Sequence, residues 1–190
     1  GQGQWHLTAP NGERKAGQLP LEFRLDEAGE WWLEVGQAGR AQSRLPLYVD
    51  GGTPVSNFFS GLDYGREPGT PSELISDTLD LIDEMRRRVG VPLLEEDKML
   101  IGLASYPLSQ LLSDRWNQTA GVERLLAAGF AGGPVYQLAC QAPTVTACLD
   151  ELSWDATSRW ALKDAQLRNI GVAVEAGVLE VSMIINLSSM

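Results

Sequence analysis

The spacing of apolar residues changes near residue 70, and this change restricts the fold more than any other feature of the sequence. Before it, short segments alternate apolar and polar residues, as in residues 21–25 (LEFRL) and 31–35 (WWLEV). After it, apolar residues recur at steps of three and four, from Leu74 to Val89. Alternation is typical of half-buried strands, and the longer steps are typical of one helix face. A chain with strands first and helices after them belongs to the α+β class.

The first 52 residues are predicted to form a small β segment. Strands are expected at residues 5–8, 21–25, 31–35 and 45–49, because Gly, Asn, Asp and Pro separate these runs. Four short antiparallel strands are similar to part of an immunoglobulin-like sandwich, which normally needs about 100 residues. Residues 1–52 are therefore a truncated domain, an accessory sheet or a piece packed on its neighbour.

Residues 53–71 are predicted to be an ordered linker to a second domain, residues 72–190. Glycine and proline are frequent in this linker, which also contains Phe58 and Phe59. Aromatic side chains in a connecting segment usually pack against a neighbouring surface, so we expect the linker to be ordered.

The segment that follows the linker has the signals of a complete helix. Thr70 is the predicted N-cap, Pro71 occupies the first helical position, and Glu73 closes a capping box. Residues 86–88 are three arginines, which place positive charge in the last turn, and Gly90 ends the helix.

Further helices and a terminal β-hairpin are expected after this helix. A second helix begins at Asp97, and Pro107 should kink or split it. Shorter helices are predicted at about residues 119–128 and 145–152. The chain ends in a hairpin whose strands are residues 170–174 and 178–187.

Five segments of the second domain resemble the CAP superfamily, the cysteine-rich secretory or SCP-like proteins, and in particular its bacterial SCP-like branch. The segments stand in the family's order over nearly the whole domain. They are residues 81–93 (LIDEMRRRVGVPL), Asp97 with Leu100 and Ala104, residues 124–130 (RLLAAGF), residues 158–162 (SRWAL) and residues 170–174 (IGVAV). The resemblance implies an α-β-α sandwich, in which helices cover both faces of a central antiparallel sheet.

The resemblance also implies a cleft in which two histidines and acidic residues bind a divalent metal. In this chain Tyr106, Tyr136 and Ser158 stand at three of those ligand positions. The whole chain has one histidine, His6, and a zinc-type site of two histidines cannot be built from it. We therefore predict no metal and no cofactor, and a domain that is not an enzyme.

Five residues are candidates for lining a vestigial cleft. They are Tyr106, Tyr136, Gln137, Ser158 and Arg159. Aromatic and hydrogen-bonding side chains of this kind can hold a sugar, a peptide or a small polar ligand. The alternative is that they fill the former site as core packing and satisfy one another.

Other catalytic arrangements find little support in the residues. A Ser-His-Asp triad would require His6 to reach the cleft. Asp150 and Glu151 are adjacent acids, which we interpret as a solvated surface. A dyad of Ser158 and Lys163 would rest on proximity in sequence alone.

Cys140 and Cys148 are the only cysteines and lie close together in sequence. They can form a disulfide if the chain folds back between them, or remain two small buried thiols. Because CAP proteins are mostly secreted or associated with the cell envelope, the resemblance favours the disulfide.

Charge and hydropathy limit the partners. Lys and Arg number 15 and Asp and Glu 25, which gives a net charge of −10. An acidic surface repels phosphate backbones and anionic lipids, which argues against nucleic-acid and membrane-surface roles. No apolar run approaches the roughly 18 residues of a membrane span.

The sequence therefore leads to three hypotheses of function. The first is a non-catalytic extracellular CAP-like module that binds a protein, a glycan or a small polar ligand, or acts structurally. The second is a hydrolase acting on cell-wall or protein substrates, and the third is a CAP domain that binds a small molecule or a lipid. We expect the protein to be secreted or in the cell envelope, with a targeting segment removed.

Overall fold

A computed structural model describes residues 4–10, 13–18, 20, 23–37, 40–49, 69–113, 115–177 and 180–190. The chain divides into two compact units, Gly1–Ser56 and Asn57–Met190, here called the N-terminal and C-terminal units. The predicted linker, residues 53–71, lies almost entirely outside the described residues. In the part of the chain that is described, no helix is both long and apolar enough to cross a membrane.

The N-terminal unit contains one antiparallel sheet. Its strands are β1 (Gln4–Thr8), β2 (Arg14–Gln18), β3 (Gly29–Gln37) and β4 (Arg40–Val49), in the order β2-β1-β3-β4. The small antiparallel β segment expected from the sequence is therefore confirmed, and its likeness to an immunoglobulin sandwich stays a prediction. Its core is a cluster of apolar side chains: Trp5, Leu7, Ala9, Trp31 and Leu33.

One predicted strand of this unit is wrong. Residues 23–25 of the segment expected at 21–25 are not in a strand, and residues 21 and 22 lie outside the described residues. Phe23 instead packs its ring 5.6 Å from the ring of Trp5. The structure has a strand that the sequence pattern did not predict, β2. Its side chains are largely exposed and its pairing with β1 is made by backbone groups, so the pattern of apolar residues could not reveal it.

The C-terminal unit has five helices and four strands among its described residues. In chain order they are α1 (Pro71–Val89), β5 (Glu95–Glu96), α2 (Lys98–Leu111), α3 (Gln118–Ala127), β6 (Val135–Ala142), α4 (Val145–Trp154), α5 (Ala156–Lys163), β7 (Asn169–Ala176) and β8 (Val181–Ser188). The sheet order is β5-β7-β8-β6, with β5 parallel to β7 and the other pairs antiparallel. Sequence pattern had not revealed β5, β6 or α5.

The ends of α1 follow the prediction. The Thr70 side chain accepts from the backbone N–H of Glu73, and the Glu73 carboxylate accepts from the N–H of Thr70 at 2.7 Å. Gly90 closes the helix with φ of 74°, a conformation that costs glycine little. Helix α2 has the expected N-cap, Asp97, and continues through Pro107 to Leu111 without splitting.

Helices cover both faces of the sheet. Ala104 and Leu108 of α2 pack with Ala173 of β7 and Ile184 of β8 on one face. On the other face, the hydroxyl of Thr78 in α1 contacts the sulfur of Met183 at 3.6 Å. Neighbouring residues of a strand point to opposite faces, so Ile184 faces the layer of α2 and Met183 faces the layer of α1. The predicted α-β-α sandwich is confirmed.

Candidate functional site

A buried chain of side-chain hydrogen bonds joins the sheet to α2. The indole N–H of Trp116 donates to Gln137 Oε1 at 3.1 Å, and Gln137 Nε2 donates to Asn186 Oδ1 at 2.9 Å. Asn186 Nδ2 then donates to the backbone carbonyl of Leu100 at 2.9 Å. Both amides are at most 1% exposed. Their polar groups are used within the protein, which stabilises the fold and leaves them unavailable to a ligand.

Two glycines allow the helices to approach this chain of hydrogen bonds. A Cβ atom on Gly121 of α3 would collide with the side-chain amide of Gln137. A Cβ atom on Gly171 of β7 would collide with the backbone of Leu100 in α2. The absence of a side chain at these positions therefore sets how closely α2 and α3 pack on the sheet.

Tyr106 lies on the outer surface of α2 and is 55% exposed. Its hydroxyl accepts from Gln110 Nε2 at 3.1 Å. The guanidinium of Arg124 in α3 stands 4.2 Å from the centre of its ring, within the range of a cation–π contact. The ring therefore joins α2 to α3 at the surface.

Tyr136 faces the opposite helix layer, where its ring packs edge-on against Trp160 of α5 with centroids 5.7 Å apart. Burial raises the pKa of Tyr136 to about 12, and the nearby charge of Asp164 contributes to this rise. The phenol is therefore protonated at neutral pH and cannot act there as a base or nucleophile.

Ser158 and Arg159 belong to the tightly packed start of α5. Asp155 caps this helix, since its Oδ2 accepts from the backbone N–H of Ser158 at 2.8 Å. Arg159 is 2% exposed and donates from Nη1 to the carbonyl of Ser153 at 3.0 Å, which ties α5 to the end of α4. Arg159 thus acts in packing, whereas Ser158 also borders an open space.

That space, the β6 cleft, has a volume of about 210 Å³ and lies beside strand β6. The segment before α3 and the start of α3 form one wall, and the α4–α5 junction forms another. Its lining residues are Trp116, Gln118, Leu138, Ala139, Glu151, Leu152, Asp155 and Ser158. The described lining residues thus combine apolar side chains with two carboxylates, and they include no lysine, arginine or histidine.

Comparison with known proteins identifies the fold. No protein-family model matches the sequence, and no curated protein matches it either. An outer surface protein from Borrelia burgdorferi is similar in structure, with a TM-score of 0.56 over 64% of this chain and 96% of its own, at 13% identity. A cysteine-rich secretory protein from Staphylococcus aureus gives a TM-score of 0.50 over 93% of this chain, also at 13% identity. The C-terminal unit has the CAP fold.

This chain is shorter than the cysteine-rich secretory protein from Staphylococcus aureus and spans 63% of its length. At 13% identity, the likeness to both proteins is one of fold. The resemblance inferred from five sequence segments is thereby supported, and the role of the CAP fold in this chain depends on its own side chains.

The predicted residues of the vestigial CAP cleft do not gather in one place. Ser158 lines the β6 cleft, Tyr106 is on the surface of α2, and Tyr136 packs on α5. Gln137 lies within the chain of buried hydrogen bonds, and Arg159 is buried at the α4–α5 junction. Tyr106 and Tyr136 face different helix layers, so they do not pack together over a cleft.

Metal-binding side chains do not cluster in the described part of the chain. Within those ranges, no three of His, Cys, Asp and Glu come close enough to hold an ion together. The acidic pair of the β6 cleft, Glu151 and Asp155, is accompanied by a serine hydroxyl and an indole ring. Such a set does not fit a zinc-type site, which requires imidazole or thiolate ligands alongside carboxylates.

The predicted disulfide is confirmed. Cys140 of β6 and Cys148 of α4 are bridged, with their Cα atoms 5.5 Å apart. The bridge joins the edge of the sheet to the helix that forms one wall of the β6 cleft. Cys140 Sγ lies 3.7 Å from Glu151 Oε2. A disulfide sulfur carries no proton, so this contact is not a hydrogen bond.

Of the eight described residues that line the β6 cleft, only Ser158 was a candidate from the sequence. Glu151 was interpreted with Asp150 as a solvated surface, and Trp116 had no distinguishing context. Asp155 carries a recognisable signal, because Asp is one of the preferred residues at the N-cap of a helix. That signal predicts a cap and gives no indication of a cleft, which is formed only when α3 and α5 meet around β6.

Proposed function

We propose that the C-terminal unit is a non-catalytic, extracellular CAP-like module that binds a partner at the β6 cleft. The observation that carries this proposal is the contrast between two neighbouring sites. The polar groups of Gln137 and Asn186 are spent on internal hydrogen bonds, whereas Glu151 and Asp155 border open space. A binding role therefore belongs to the β6 cleft.

The side chains of the β6 cleft argue against hydrolysis. A nucleophilic serine needs a base within hydrogen-bond reach, and the only histidine of the chain is His6, far from Ser158 in the sequence. The Asp155 carboxylate is engaged by the backbone N–H of Ser158 as a helix cap. Tyr136 is protonated at neutral pH, and its ring packs against Trp160.

The size and charge of the β6 cleft also argue against a lipid. Small-molecule sites usually enclose about 300–1,000 Å³. The β6 cleft, with about 210 Å³, is smaller than that and too small to enclose a lipid chain. Glu151 and Asp155 would repel an anionic headgroup. An extracellular location is supported by the disulfide and by the surface or secreted names of the two similar proteins.

Calorimetric titration with Zn²⁺, together with hydrolysis assays on casein and on purified peptidoglycan, tests the non-catalytic proposal. We expect no saturable zinc isotherm in the micromolar range and no release of fragments. Micromolar zinc binding, or hydrolysis that the Ser158→Ala variant abolishes, would overturn it. A Glu123→Gln variant, changed on the exposed surface of α3, serves as the control for preparation and charge.

A further inference from the structure

Strand β6 ends the sheet, and alternate residues along it direct their backbone groups away from β8. The N–H of Arg168 bonds to the carbonyl of Ser188 at 2.8 Å, so even-numbered residues of β8 face β7. The odd-numbered residues of β8 therefore bond to β6, where they pair with even-numbered residues. The N–H and C=O groups of Gln137, Ala139 and Gln141 consequently point outward.

A side chain already caps one of these outward groups. Gln118 Nε2 donates to the backbone carbonyl of Gln137 at 3.3 Å, which independently places that carbonyl on the open edge. Within the part of the chain that the structure describes, no hydrogen bond reaches the backbone N–H or C=O of Ala139. Ala139 also lines the β6 cleft. An open strand edge and a cleft therefore meet at this residue.

The charge beside this edge is negative. Glu151 is exposed, and within the described ranges no cation or hydrogen-bond donor contacts its carboxylate. Asp155 uses one oxygen to cap α5. A cleft of about 210 Å³ is large enough for one long side chain, and its two carboxylates suit a guanidinium or an ammonium group.

We propose that the edge of β6 binds an extended peptide, which adds a strand at Ala139 and Gln141 and places one Arg or Lys side chain in the β6 cleft between Glu151 and Asp155. Strand addition supplies backbone hydrogen bonds, and a pocket beside the edge supplies side-chain selectivity. The inference rests on the proposed binding function and names the chemistry of the partner.

Charge complementarity distinguishes this occupant from a second copy of the chain. Pairing two β6 edges would bring Glu151 and Asp155 of one copy towards the same residues of the other. The chain already carries a net charge of −10, so such pairing would add like-charge repulsion. A basic peptide would instead neutralise part of the negative charge of Glu151 and Asp155.

Fluorescence anisotropy with a labelled peptide, Ala-Thr-Val-Arg-Val-Thr-Ala, tests the inference at protein concentrations up to about 1 mM. Matched probes replace the arginine by citrulline or glutamate, or N-methylate alternate backbone amides. We expect the arginine probe to bind, the citrulline probe to bind roughly tenfold or more weakly, and the glutamate and N-methylated probes not to bind.

Protein variants separate the two parts of the site. Glu151→Gln and Asp155→Asn should each weaken binding of the arginine probe about tenfold, and asparagine still caps α5. Ala139→Pro removes an outward N–H that β8 does not use, so it should abolish binding without unfolding the unit. Glu123→Gln, outside the cleft, should leave the affinity unchanged.

Each contrary outcome has a distinct meaning. Equal binding of the arginine and glutamate probes, or no binding of the intact arginine probe, would overturn this inference and leave the non-catalytic proposal standing. Dimerisation that Ala139→Pro abolishes, seen by sedimentation, would overturn it in favour of a second copy. Cleavage of the probe, detected by mass spectrometry, would instead overturn the non-catalytic proposal.

Discussion

Arg86 should contribute far more to stability than the two arginines that follow it. Its side chain is fully buried, and it donates three hydrogen bonds to backbone carbonyls. Nε donates to Pro92 at 2.7 Å, Nη1 to Leu162 at 2.8 Å and Nη2 to Asp164 at 3.1 Å. One guanidinium thus ties the end of α1 to the segment before β5 and to the end of α5.

Replacing Arg86 by Met should lower the free energy of unfolding by about 3–5 kcal/mol. A hydrogen bond from a charged donor is worth roughly 1.5–3 kcal/mol, and a buried carbonyl left unsatisfied costs about 1–3 kcal/mol. Three such bonds would add up to more than this range. Part of the loss is offset because the folded variant no longer has to remove a charged guanidinium from water, and the net value then lies in the range found for breaking buried ionic contacts. Arg87→Met is the control, since Arg87 forms exposed ion pairs with Asp83 and Glu84, worth about 0.2–1 kcal/mol.

Urea unfolding followed by far-ultraviolet circular dichroism measures this difference. All helices of the described residues belong to the C-terminal unit, so the helical signal reports on that unit. With a slope of about 2 kcal/mol per molar urea, the Arg86→Met midpoint should fall by about 1.5–2.5 M. Arg86→Lys should also be destabilised, because one ammonium cannot reach three carbonyls.

Two results would refute this reasoning. If Arg86→Met and Arg87→Met lost equal stability, the buried contacts would contribute nothing beyond a surface charge. If Arg86→Lys were as stable as the wild type, the residue would act only through its charge at the helix end.

Three further predictions concern packing, ionisation and the disulfide. Gly121→Ala should destabilise the protein by about 1–3 kcal/mol, because the new Cβ atom would displace Gln137. The control Gly102→Ala places a Cβ atom where it meets no neighbouring atom and should stabilise the protein by up to about 1 kcal/mol. Urea unfolding of both variants measures the difference. Tyr136 should ionise near pH 12 in the folded protein. The folded state should lose stability as the pH rises above about 10, because the unfolded chain releases that proton at a lower pH than the folded chain does. Tyrosinate absorbance of the wild type and of Tyr136→Phe checks this ionisation. Replacing both cysteines by serine should cost about 2–3 kcal/mol by loop entropy, with no loss in thermal melting contradicting it.

The sequence predicted best those elements whose signals are local. Thr70, Glu73 and Gly90 satisfy helix ends through neighbours a few residues away, and the structure contains each of these contacts. Strand β6 was missed because its Gln137 and Gln141 read as polar positions typical of a surface. Both amides are instead engaged across the sheet, with Asn186 and Ser182, and such partners are too distant in sequence for a pattern to reveal.

The same limitation explains why the candidate site could not be located from the sequence. Arg86 and Arg87 are chemically identical neighbours, yet one is fully buried and the other is half exposed. Glu151 likewise resembles Asp150, and only the meeting of α4 with the edge of β6 makes it part of a cleft. A count of histidines needs no knowledge of the fold, and it therefore limits from the sequence alone which metal sites the chain can build. The position of a binding site depends on which surfaces the fold brings together, and here the open edge of β6 fixes that position.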